Sequence, residues 1–125
     1  MSFLSAQGQL TSAFSAPTIP AGVALTANTD EVLLTVTPAL GQYVVNTSIA
    51  LAMTNATIFS LSLTYGATTI ALFELANQVT VDNATLCVSG IFQSNGLDDL
   101  EVVVNTDSGA NYSTSASSLV ILRVV

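Results

Sequence analysis

From Tyr43 to Met53 the sequence alternates without a break: Tyr43, Val45, Thr47, Ile49, Leu51 and Met53 fall on one side of an extended chain, and Val44, Asn46, Ser48, Ala50 and Ala52 on the other. Side chains of a strand project alternately to opposite faces, so this run has one greasy face and one mixed face. Wound as a helix, the same residues would be scattered around the whole circumference. The run therefore commits the chain to sheet. A strand that is apolar on one side needs a second layer to bury that side.

The same period recurs along the chain. Val32, Leu34 and Val36 are expected to share one face of a strand that stops at Pro38. Phe59, Leu61, Leu63 and Tyr65 alternate with Ser60, Ser62 and Thr64, and Gly66 closes that run. A short turn at Thr54-Asn55 would make Ala56 to Tyr65 the antiparallel partner or near neighbour of the strand before it. Thr68 to Phe73 and Gln78 to Val81 are shorter strand candidates, separated by Glu74 to Asn77. Asp82-Asn83 reads as a turn. Ala84 to Gln93 then has Leu86, Val88 and Phe92 on one side and Cys87 and Ile91 on the other, with Gly90 marking a bulge or a close approach.

Ser94-Asn95-Gly96 ends that strand, Leu100 to Val104 forms the next, and Thr106 to Ser118 is expected to be a polar loop. Ser118 to Val125 is apolar on both faces, so it should lie centrally, with the core on one side and a second subunit or layer on the other. The expected fold is all-β: a single jelly-roll β-sandwich of about eight antiparallel strands.

With 125 residues, half of them apolar, the chain suits one domain. Residues 1–30 differ from the rest, being rich in Ser, Ala, Thr, Gln, Gly and Pro, and are expected to form an extended N-terminal arm ahead of a domain at 31–125. Pro17 and Pro20 fix local φ and remove backbone donors, which keeps that stretch extended. Phe3, Leu4, Leu10 and Phe14 are the arm's candidate docking residues.

Charge narrows the functional classes. Charged residues make up 7% of the chain, against roughly a quarter in ordinary globular proteins, and Thr, Ser, Asn and Ala must cover the surface instead. Such a surface hydrates weakly and repels neighbours little, so burial in an oligomer is the expected outcome. Arg123 is the single basic residue and the net charge is −7, which leaves nothing to neutralise phosphates, so nucleic acid is not an expected partner. The first residues lack the basic and apolar regions of a secretory signal. The greasiest stretch, Ile49 to Leu63, is interrupted by Thr54, Asn55, Thr57, Ser60 and Ser62, and no membrane partner is expected.

Chemistry is scarce. His and Lys are absent, no cofactor is called for, and no catalytic residue is expected. Cys87, the only cysteine, cannot form an intrachain disulfide and is expected to be a small buried apolar residue. Asp98, Asp99, Glu101 and Asp107 have the chemistry of an oxygen cage for calcium, but solvated turn residues are the expected reading. The sequons at Asn46, Asn55, Asn83 and Asn111 are what a chain rich in Asn, Ser and Thr produces by chance.

The order of these features resembles the small jelly rolls of the tumour necrosis factor and complement-globular-head superfamily, a type that also occurs in spore-surface and phage virion proteins. The resemblance covers about residues 30–125. It is carried by Gly41-Gln42-Tyr43-Val44-Val45, by Val88-Ser89-Gly90-Ile91-Phe92 leading into Asn95-Gly96-Leu97-Asp98-Asp99-Leu100, and by the closing Ser118-Leu119-Val120-Ile121-Leu122. It implies a homotrimer, with Tyr43, Phe92, Leu119 and Ile121 at core or threefold-interface positions.

Together with the arm and the uncharged surface, it leads to the expectation of a virion structural protein on the capsid surface. The specific form expected is a phage capsid decoration or cement protein that clamps neighbouring major capsid subunits. The alternative is a receptor-binding knob of a tail or head fibre, holding a carbohydrate through Gly66 to Thr69 or Thr106 to Ser118 near Tyr65 and Tyr112. A bacterial surface or spore-coat module would share the fold.

Overall fold

The computed structural model describes residues 14–15, 24–107 and 110–124, and the side chains of 25–51, 56–76, 84–107 and 118–124. Among the described residues the elements are all strands: β1 (Phe14–Ser15), β2 (Ala24–Leu25), β3 (Glu31–Val36), β4 (Gly41–Tyr65), β5 (Thr68–Ser94), β6 (Leu100–Thr106) and β7 (Ala110–Arg123). Every pairing between them is antiparallel.

β4 and β5 are long because each serves two layers. The first half of β4 pairs with the second half of β5, from Gly41↔Ser94 to Ala52↔Asn83, and on its other side with β7, from Tyr43↔Arg123 to Ala52↔Asn111. The second half of β4 pairs with the first half of β5, from Ile58↔Ala76 to Tyr65↔Thr68, and on its other side with β6. β3 adds to β6, and β1 and β2 add to β7. The result is a jelly-roll sandwich of two antiparallel sheets. The first layer holds β1, β2, β7, the start of β4 and the end of β5. The second holds β3, β6, the end of β4 and the start of β5.

The core lies between the layers and follows the alternation. Val45, Ile49, Leu51, Leu119 and Ile121 face inward from the first layer, and Phe59, Leu61, Leu63, Val102 and Val104 from the second. Burying side chains of this size is worth about 1.5–3 kcal/mol each. Thr47 also faces inward, and its hydroxyl donates to the Ser118 carbonyl at 2.9 Å, which removes the cost of burying it.

Several expectations change. Thr54-Asn55 is not a hairpin turn: β4 runs on, with register shifts between Ala52 and Ile58, and its two halves pair with β5 rather than with each other. Asp82-Asn83 is likewise no turn, Asn83 being paired with Ala52, and Thr68 to Val81 is one strand segment instead of two. A strand that leaves one sheet for the other needs an irregularity at the crossing, and polar residues that interrupt the alternation mark a crossing as readily as a turn. The real hairpin is Tyr65-Gly66-Ala67-Thr68, where Gly66 takes φ +60. A positive φ at the first central position is the two-residue turn geometry that suits Gly.

Most of the expected polar loop 106–118 belongs to β7. In β3 a bulge between Val32 and Leu34 buries Leu33 and leaves Val32 exposed, so Val32 does not share a face with Leu34 and Val36. Gly90 is a place of close approach: a Cβ there would stand 3.3 Å from the Ile70 carbonyl oxygen and 3.4 Å from the Ala71 Cβ, where the two halves of β5 meet across the core.

Candidate functional site

Antiparallel registry sets out the outer face of the first layer row by row. Ile91, Val44 and Leu122 lie side by side across three strands, and Phe14 of β1 continues the row in its backbone pairing. The next rows are Ser89, Asn46 and Val120, then Cys87, Ser48 and Ser118. Ile91 is 73% exposed, and Val44, Val120 and Leu122 are partly so. No charged side chain occurs in any of these rows.

The acidic residues are elsewhere. Glu74 and Glu101 lie on the outer face of the second layer, opposite Ser60 and Thr64, and Asp30 accepts a 2.7 Å hydrogen bond from Asn105 there. Every carboxylate whose side chain is described lies on that layer or on the turns at its ends.

Those turns do not assemble a cation cage. Asp98 accepts from the Asn95 amide at 2.8 Å and Asp99 from the Thr37 hydroxyl at 2.6 Å, both at the start of β6. Asp107 lies past the other end of β6 and accepts from the Thr57 hydroxyl and from the Thr57 backbone N–H. Those bonds hold its carboxyl below the usual range, the Thr57 hydroxyl first, with the backbone around Ile58 and Thr57 adding to it. A strand of this length separates its ends by roughly 20 Å, so the four carboxylates cannot share an ion. Among the described residues no group of three or more His, Cys, Asp or Glu side chains converges.

Tyr43, Phe92, Leu119 and Ile121 are all buried between the layers. The Phe92 ring stacks on Tyr43 at 5.4 Å and meets Tyr65 at 5.0 Å, joining the two sheets at one end of the sandwich. The Tyr65 hydroxyl donates to Asn95 Oδ1 at 2.7 Å and accepts from the Asn95 N–H at 2.9 Å, and the side chain is partly exposed. The Tyr112 side chain lies outside the described residues. Of the arm residues, Phe14 pairs through its backbone with Leu122, while Phe3, Leu4 and Leu10 lie outside the described residues.

Cys87 is exposed, not buried, because β5 turns its odd-numbered residues from Thr85 to Gln93 outward; its thiol is 3.5 Å from the Ser48 hydroxyl. Asn46 is also exposed on this face. Arg123 pairs across from Tyr43, which puts it on the inner side, and its buried Nε has no hydrogen-bond partner among the described residues.

The uncharged face itself was not singled out from the sequence. Its signal is present as two charge-free stretches, 83–97 and 108–122, which become neighbours only once β4 is known to lie between them.

No family model and no curated protein sequence matches this chain. Solved structures do. The chain is similar to Eiger TNF from S. frugiperda, with a TM-score of 0.62 and 11% identity over 90% of this chain and 92% of that one. It is similar to a chain of the T13 particle of infectious bursal disease virus, with a TM-score of 0.62 and 10% identity over 89% of this chain but 31% of the viral one. The subviral particle of the same virus gives a TM-score of 0.59 at 8% identity, again with about a third, 32%, of the viral chain covered. At these identities the likeness is one of fold: a jelly roll of the kind found in TNF-like proteins and in viral capsid proteins.

Proposed function

We propose that the chain is a virion structural protein, a phage capsid decoration or cement protein that forms a homotrimer and clamps neighbouring major capsid subunits. The observation that carries this reading is the uncharged outer face of the first layer. Each copy bears a net charge of −7, so copies associate most easily where no carboxylates are brought together. Around a threefold axis, first layers turned inward through the Ile91, Val44 and Leu122 row place the second layers, with their carboxylates, on the outside, each farther from the axis than one sheet spacing of about 10 Å. The jelly roll shared with viral particle chains supports the virion reading at the level of fold. In this reading Phe3, Leu4 and Leu10 of the arm engage the neighbouring coat subunit.

The test combines cosedimentation on purified coat shells lacking this protein with a mass measurement of the free protein. Retention on the shells, a trimer mass, and protection of the exposed Cys87 thiol from alkylation on trimer formation are expected. A protomer mass at high concentration, or a thiol that stays fully reactive in the oligomer, overturns the interface.

A further inference from the structure

Two leucines stand out at the end of the sandwich where Tyr65 meets Phe92: Leu97 is 83% exposed and Leu40 is 64% exposed. They belong to different turns, yet Gly96, with φ +78, lies so close to Leu40 that a Cβ there would stand 3.3 Å from its backbone nitrogen. The turn that carries Leu97 is held firmly. Asn95 Oδ1 accepts the N–H groups of Leu97 at 2.8 Å and Asp98 at 2.9 Å, and the Gly66 N–H donates to the Asp99 carbonyl at 3.0 Å. Asp99 in turn accepts the Thr37 hydroxyl, which ties in the turn bearing Leu40. Apolar side chains on an already ordered support lose little freedom on binding, as an anchor requires.

We infer that this tip, Leu40 and Leu97 beside Asp98 and Asp99, is the docking surface for a different protein that offers an apolar pocket rimmed by basic side chains. Charge decides the occupant. A second copy has no Lys and a single Arg, which is partly buried with its Nε on the inner side of the first layer, and one basic side chain does not make a rim. Two tips meeting each other would oppose four carboxylates. The tip and the uncharged face therefore have separate partners: copies of this chain on the face, the coat protein at the tip. This assignment rests on the virion reading.

The experiment measures cosedimentation of wild type and the L40S/L97S double variant on the same coat shells at low and high salt, with melting temperature and oligomer mass taken alongside. Both leucines are exposed, so the variant is expected to melt and assemble as wild type does, while its affinity for shells falls by about tenfold or more. Wild-type retention is expected to weaken as salt rises. If wild type binds and L40S/L97S binds equally well, or if the variant falls apart into protomers, the tip assignment is overturned and the virion reading stands. Salt-insensitive retention overturns the basic rim. If wild type itself is not retained, the virion reading fails and takes the tip's partner with it.

Discussion

The two outer faces of this sandwich are built largely from the same two strands, yet they differ in charge. Both expose large apolar side chains, Ile91 on the first layer and Leu72 on the second. Both fill the space between with Ser, Thr and Asn. The second carries Glu74 and Glu101, and the first carries no charge at all among its described outward side chains. A lone exposed Leu or Ile, with no apolar neighbour beside it, is ordinary on any protein surface. In the proposed assembly, the placement of carboxylates is what separates the face that meets other copies from the one that meets water.

Putting a charge on the quiet face should have the largest effect. Ile91→Asp is expected to weaken self-association by about 3 kcal/mol, on the order of a hundredfold, because each interface would then bury an unpaired carboxylate. Leu72→Asp, the matched change on the second layer, should leave the mass unaltered; equal effects of the two in light scattering would break the comparison. Next comes the boundary between the layers. Gly90→Val forces a side chain into the Ile70 backbone and should lower unfolding free energy by about 1–3 kcal/mol, whereas outward-facing Ser89→Val should change it by less than about 0.5 kcal/mol in denaturant titrations.

The acidic layer should also respond to acid. Because the folded pKa of Asp107 is depressed, its bonds to Thr57 stabilise fully above the ordinary carboxylate range, and that contribution fades as pH falls through the lowered value. Asp107→Asn should therefore melt below wild type near pH 7 and converge with it as pH falls through the lowered value; a gap that persisted in strong acid would remove Asp107's charge from the account. Smallest is the influence of salt on self-association. With the carboxylates turned away from the contact, raising salt should tighten it by only about a few fold.

Alternation made most of this fold legible. The inward set from Tyr43 to Leu51, Phe59 to Leu63, and Leu86, Val88 and Phe92 is the set the period of two selects. What alternation could not reveal is connectivity. A polar interruption such as Thr54-Asn55 or Asp82-Asn83 looks the same whether the chain reverses or crosses to the other sheet, and pairing partners far away in sequence decide which. The bulge at Leu33 shifts the phase of β3 by one residue for a reason that lies in its pairing with β6. The candidate face is hidden for the same reason: residues 84–93 and 118–124 are remote in the chain, and only their shared pairing with β4 makes them one surface.

Continuity of β4 and β5 through both layers has a kinetic corollary. From the turn at Gly66 these strands form a single ladder, closing first at Tyr65↔Thr68 and last at Gly41↔Ser94. Zipping from that turn would place the second layer's centre before the first's, with β6 and then β7 recruited onto β4 afterward. Neither sheet can detach without tearing the shared hairpin, so the domain should melt as one cooperative unit, with no half-folded species for a neighbouring chain to capture.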